Sequence, residues 1–241
     1  MFNYYSPLPN YVGMLFVWLN FTYVDTVKTL FLIGLIGSGI GIYLLIKKIT
    51  SSHLSAVFSS VLYIFAPYHA VDIYVRGALA ESWALMWFPF ILWAIYYQAD
   101  EVNKTYKPHL ALSLTLSGLW LSHNIMSMWF IPVILVWIVF VFILFINKKR
   151  PDIIKFFISI TLSIIWSFGL AAFFLIPAIS EKNLIQSDTL TSDYFNYRHH
   201  FPTLSQILFS NDWGYGPSRP GPIDNMSFHI GFPHWPLALL S

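Results

Sequence analysis

The sequence predicts an all-α protein: a polytopic transmembrane helix bundle with six complete spans, the start of a seventh and a long outer loop. Three observations carry this expectation. Of 241 residues, 57% are hydrophobic and only 10% charged, where a soluble domain carries roughly a quarter. The apolar residues fall in long runs separated by polar turns, and mean hydropathy is +0.63. Under strict alternation of those runs, eight of the thirteen Lys/Arg residues (47, 48, 104, 107, 148, 149, 150 and 155) fall on one side, as the positive-inside bias requires. The small net charge of +2, with basic residues beside apolar runs, gives no nucleic-acid partner. The absence of cysteine excludes a disulfide framework, a thiolate zinc site and a cysteine nucleophile. No basic region precedes an apolar core, so no signal peptide is expected.

Residues 1–26 read as the tail of an outer loop, with a proline-broken aromatic start. Tyr11 to Leu19 is too short to span and is expected as an interfacial helix, with Trp18 and the tyrosines at headgroup level. Residues 27–181 form the six-span module. Val27 to Ile46 is the first span, and Gly37 and Gly41 have the spacing of a close-packing helix face. Lys47-Lys48 marks the cytoplasmic end, and Leu54 to Ala66 returns outward. Residues 68–81 form a polar outer loop, and Ser82 to Tyr97 goes back in, with Pro89 expected to kink it. Leu110 to Leu121 runs out, Ser122-His123-Asn124 turns, and Ile125 to Ile146 runs in to Lys148-Lys149-Arg150. Ile153 to Ile179 is the sixth span and ends at Glu181. Residues 182–228 are a Gly/Pro-rich extracytoplasmic loop, too long to be an ordinary connection. Residues 229–241 look like the opening of a further span, and the chain reads as a piece of a longer one.

The loop Tyr68–Glu81 is where chemistry is most expected, because charges close to hydrocarbon are paired, hydrated or functional. Asp72 and Arg76 are four apart and can form a salt bridge on a short helix, while Glu81 near a helix start suits the macrodipole. The functional reading makes Arg76 a phosphate-binding fork, with Asp72 or Glu81 orienting an acceptor or a metal. His69 belongs to the same loop. His123 and Asn124 occupy an outer turn, where a histidine also serves as an ordinary helix cap. Glu181 follows a helix C-terminus, where the dipole disfavours an anion, so Arg76, Lys182 or a bound cation should compensate it. Trp213 and Tyr215 can stack on a sugar or pack the outer loop onto the membrane. Six of the eight histidines (69, 123, 199, 200, 229, 234) lie on the outer side, yet His199-His200 with Asp193 lacks metal-ligand spacing. There is no Gly-rich phosphate loop, nucleophile elbow or His-Glu-x-x-His pair. The charge-poor spans disfavour a transporter.

Phe2-Asn3-Tyr4-Tyr5-Ser6-Pro7-Leu8-Pro9, the Tyr68…Arg76-Gly77-Ala78-Leu79-Ala80-Glu81 loop, Ser122-His123-Asn124 and Pro177–Lys182 together resemble one set of bacterial multipass membrane proteins. These are the proteins labelled 6-pyruvoyl-tetrahydropterin synthase-related, similar in layout to C-type glycosyltransferases that use polyprenyl-phosphate sugars. The soluble pterin synthase of that name carries a zinc-binding histidine set and commonly a catalytic cysteine. A cysteine-free chain of spans is not expected to share its activity. The C-type resemblance implies a bacterial plasma-membrane location and an active site on the outer face. It further implies a polyprenyl-phosphate sugar donor and an envelope glycan or lipid acceptor. It places the catalytic base in a first outer loop upstream of Phe2, and leaves supporting acidic roles to Asp72, Glu81 and Glu181. No cofactor is fixed by the sequence, which leaves room for a divalent metal. The alternative expectation is a non-catalytic membrane protein that binds or presents envelope lipids.

Overall fold

The computed structural model describes residues 5–101, 107–146, 153–184, 196–210, 213–219 and 225–240. The chain divides into two compact units, one of residues 1–63 and 79–179, the other of residues 64–78 and 180–241. Ten α-helices are found among the described residues, in agreement with the all-α expectation.

The first unit is a helix bundle. α1 (Leu8–Trp18) begins with Pro9 in its first turn, where a missing N–H costs nothing. α2 (Tyr23–Thr50) is capped at its start by the Thr22 hydroxyl, which accepts from the Asp25 amide at 3.1 Å. It ends at Lys47, Lys48 and a left-handed Ser51. Gly34, Gly37 and Gly41 line up on one stripe against α5 (Leu79–Glu101). A Cβ on Gly41 would come within 2.8 Å of Pro89 Cγ, so the expected packing face is real and Pro89 fills it. α3 (His53–Ile64) docks on α2 through Ser60, whose hydroxyl donates to the Gly39 carbonyl at 3.0 Å. α6 (Lys107–Trp120), α7 (Asn124–Ile146) and α8 (Ile153–Ser180) complete the bundle.

Its core runs along α5, α6 and α7, centred on Ile91, Ile95, Leu112, Leu119 and Val141, with Phe88 stacked on Phe130 at 3.8 Å. With little hydrophobic drive between helices in lipid, indole donors act as interhelical ties. Trp83 donates to the Leu30 carbonyl at 3.0 Å, and Trp137 to the Leu92 carbonyl at 2.9 Å. Trp87 donates to Ser122 Oγ at 3.0 Å.

Among the described residues, four helices are long and apolar enough to cross a membrane: α2, α5, α7 and α8. A fifth crossing is counted if α3 and the bent segment Pro67–Val75 act as one broken span. Six complete spans are therefore not established. α3 has 12 residues and α6 has 14, about 18 and 21 Å of helix, against a hydrocarbon core of about 30 Å. α6 is also mostly buried, with Ser113, Thr115 and Ser117 bonded to its own carbonyls. A helix sheltered from lipid needs less hydropathy than an exposed span.

Residues 68–81 are not the simple loop expected from sequence: 79–81 open α5 in the first unit, and 68–78 belong to the second. α4 (Pro67–Ala70) runs into a π-helical turn, Val71–Val75, which ends at Gly77 with φ +59°, a conformation that favours glycine. Within the long outer segment, α9 (Leu204–Leu208) carries a capping box from Thr203 and Gln206, and α10 (His234–Leu240) lies where a further span was expected to open. Lys104, Lys148, Lys149, Arg150, Asp193 and residues 2–4 lie outside the described residues, as does the side chain of Lys182.

Candidate functional site

The π-helical turn of the second unit brings together Tyr68, Asp72 and Arg76. One wide turn puts Arg76 Nη1 3.1 Å from Asp72 Oδ1 and 3.1 Å from the Tyr68 hydroxyl, donating to both. Asp72 is wholly buried, while the Arg76 side chain is 37% exposed. The expected i,i+4 salt bridge is therefore present, and it has a direction. A buried carboxylate and a phenol fix one edge of a guanidinium whose side chain reaches the surface. The Ala78 amide donates to the Asp72 carbonyl at 2.9 Å and closes the turn. Single-turn π segments are frequent at functional sites, because the extra residue re-aims side chains. His69 is buried in α4 just before this turn.

In the first unit, Glu81, His123 and Asn124 stand at the starts of α5 and α7, the helix ends expected on the outer face. Glu81 is 6% exposed in the first turn of α5, where the dipole favours its charge. Asn124 opens α7 and accepts a hydrogen bond from Ser6 at 3.1 Å, and the Leu8 amide donates to the Leu121 carbonyl at 2.9 Å. The N-terminal segment is thereby tied to the α6–α7 turn. His123 caps a helix, at the opposite pole from the one weighed from sequence: its Nδ1 accepts from the Met126 amide at 3.1 Å, at the start of α7.

Beside this tie lies a cavity of about 350 Å³ formed by Tyr5, Pro7, Asn10 and Tyr11 with Phe173 and Pro177 of α8. Tyr11 and Phe173 stack at 6.5 Å. The sequence reads Phe2–Pro9 as loop tail and family resemblance and puts Tyr11 at headgroup level, and it gives none of Tyr5, Ser6, Asn10 or Tyr11 a place in a site. Their aromatic and Pro-rich composition was a signal, but the partner helix was not visible.

The other expected residues are divided between the two units. Arg76 and Glu181 belong to one unit, Glu81 and His123 to the other. Glu181 sits half-buried in the turn after α8, its carbonyl accepting from the Leu184 amide at 2.9 Å. Trp213 and Tyr215 are exposed and meet edge to face at 6.3 Å. His200 Nδ1 lies 2.9 Å from Ser218 Oγ. Among the described residues no three His, Asp or Glu side chains are grouped to hold a metal ion.

Hydrophobic helices of spanning length, interhelical indole ties and a polar layer at one end define a multipass membrane protein. The model of the 6-pyruvoyl-tetrahydropterin synthase related domain, a membrane protein domain, matches residues 2–211, and the chain belongs to that family. It is also similar to a protein of Lactococcus lactis subsp. cremoris (strain MG1363) described as uncharacterized, at 24% identity over 223 residues. That match covers 88% of this chain and 35% of the relative, so the chain spans about a third of the relative's length. No solved structure matches.

Proposed function

We propose that this chain is part of a membrane glycosyltransferase-like protein. It would move a sugar from a polyprenyl-phosphate donor to an envelope glycan or lipid acceptor at the outer face. The observation that carries the reading is the outer end of the first unit. There the Tyr5–Tyr11 segment both lines an aromatic cavity of about 350 Å³ and is tied through Ser6 to Asn124. Aromatic walls suit the apolar face of a sugar or an isoprenoid. Within the second unit, taken by itself, Arg76 held by Asp72 and Tyr68 has the chemistry of a phosphate ligand.

In the reaction, the acceptor oxygen bonds to the sugar's anomeric carbon as the bond to phosphate breaks. The acceptor proton passes to a carboxylate base and polyprenyl phosphate leaves. Asp72 is a poor base, since it is buried and paired to Arg76; its role is to hold the fork. No described residue is assigned as the base. Six crossings belong to this reading: α5 and α7 both run inward, so α6 must return the chain between them.

The burial of both Asp72 and Glu81 favours a second reading, a non-catalytic protein that binds the same lipid. The test is the full-length protein in proteoliposomes with a radiolabelled polyprenyl-phosphate hexose and an envelope lipid fraction. Binding with transfer, weakened by Arg76→Lys, supports the enzyme. Binding without transfer supports the binder. Failure to retain the donor sinks both.

A further inference from the structure

At the end of the bundle that the Lys/Arg bias makes cytoplasmic, the C-terminal ends of α2, α5 and α7 enclose a cavity of about 540 Å³. It has two kinds of wall. Lys47, Lys48 and Ser51 supply cations and a hydroxyl, while Trp93, Tyr96 and Phe145 form an aromatic floor. Among the described residues Asp100 is the one carboxylate lining it, and it pairs with Lys48 at 2.7 Å. Lys48 also lies over the Tyr97 ring at 5.2 Å, and Lys47 over the Tyr43 ring at 5.6 Å. No carboxylate is found within ion-pair distance of Lys47 among the described residues. The lining therefore carries one net positive charge beside an apolar floor.

We propose that this cavity binds the phosphodiester headgroup of an anionic phospholipid from the cytoplasmic leaflet, with the upper acyl chain against Trp93 and Phe145. Two magnitudes set the ligand's charge. Each lysine near the surface attracts an anion by about 1 kcal/mol. The three helix C-termini oppose an anion by roughly 0.3–1 kcal/mol each at an exposed end. A monoanion neutralises the net charge of the lining. A dianion such as free phosphate overfills it and meets the helix dipoles. The aromatic floor adds attraction that only a lipid can use. Lysines at a helix C-terminus also serve as plain topology signals, but a topology signal requires no cavity beneath it.

The experiment is native mass spectrometry of the full-length protein released from nanodiscs of phosphatidylglycerol and phosphatidylcholine with matched chains. Free sn-glycerol 3-phosphate and inorganic phosphate are run as separate arms. The expected result is one retained phosphatidylglycerol, no retained phosphatidylcholine and no competition by either free phosphate. Lys47→Gln should weaken retention about fivefold, the equivalent of one surface lysine. The double variant Lys48→Gln/Asp100→Asn leaves no unpaired carboxylate and should retain at least as much as Lys47→Gln, because it keeps the net charge of the lining. Lys28→Gln, at the other end of α2, should change nothing. Equal retention of both lipids, or insensitivity to Lys47→Gln in a protein that still elutes as wild type, overturns the proposal. Displacement by free phosphate would overturn the lipid source.

Discussion

Replacing Gly118 by alanine tests the packing of α5 against α6 more sharply than any other single change. The added Cβ would sit 2.5 Å from Trp87 Cε2 and 2.6 Å from Cζ2. The indole cannot simply swing aside, because its Nε1 donates to Ser122 Oγ at 3.0 Å and its ring lies against Phe90. Overpacking of this kind costs about 1–3 kcal/mol. Losing the Trp87–Ser122 bond would add about 0.5–1.5 kcal/mol. The helix propensity of alanine over glycine offsets at most about 1 kcal/mol. A net loss of roughly 1–3 kcal/mol is therefore expected. Two other glycines calibrate it. On α2, Gly37→Ala meets the Met86 thioether, a flexible end that can move, and should cost less than about 1 kcal/mol. On α8, Gly169 has open space around its would-be Cβ, and Gly169→Ala should be neutral or slightly stabilising. Reversible unfolding in mixed dodecylmaltoside–SDS micelles, followed by tryptophan fluorescence, gives all three values. A Gly118→Ala protein as stable as wild type, or a larger loss at Gly169, would refute the α5–α6 interface described above.

Single cysteines placed in this cysteine-free chain at 47–53, 98–109 and 147–152 should be shielded from an impermeant label in intact cells. Those at the accessible positions of 68–81, 122–124 and 181–228 should react, and outside labelling at 148 but not at 76 would invert the map. Arg76→Ala removes the guanidinium from a buried Asp72 and should cost roughly 1–3 kcal/mol, between the exposed and fully buried cases, with Asp72→Asn/Arg76→Ala recovering part of it. If the double variant unfolds as readily as the single one, the pair is not what holds the π turn. Arg76→Lys should leave stability nearly intact and still impair donor binding in the full-length protein, since an ammonium cannot offer a planar fork. His123→Ala should cost about 1 kcal/mol through loss of the α7 cap, and His123→Asn should restore it. Equal loss from both substitutions would point to a role for the imidazole beyond capping.

By itself the sequence determined the class and most of the frame. Long apolar runs can satisfy their backbone in lipid only as helices, so α2, α5, α7 and α8 were legible from composition and length. The Gly37/Gly41 face was legible as well, because small residues four apart leave a groove whatever fills it. Spacing also disclosed the Asp72–Arg76 pair, since i,i+4 neighbours meet on any helical turn. What the tertiary structure decided was every relation between distant residues. The helix lengths decided how many described helices can span, since α3 and α6 are too short to do so alone, while the burial of α6 explains its low hydropathy. The π turn decided that Asp72 anchors Arg76 from inside while Arg76 reaches the surface. Both cavities are made by side chains far apart in sequence, Tyr5 with Phe173 and Lys47 with Phe145. Hydrophobic periodicity reports which residues leave water or enter lipid, but it does not report which helix they will meet there.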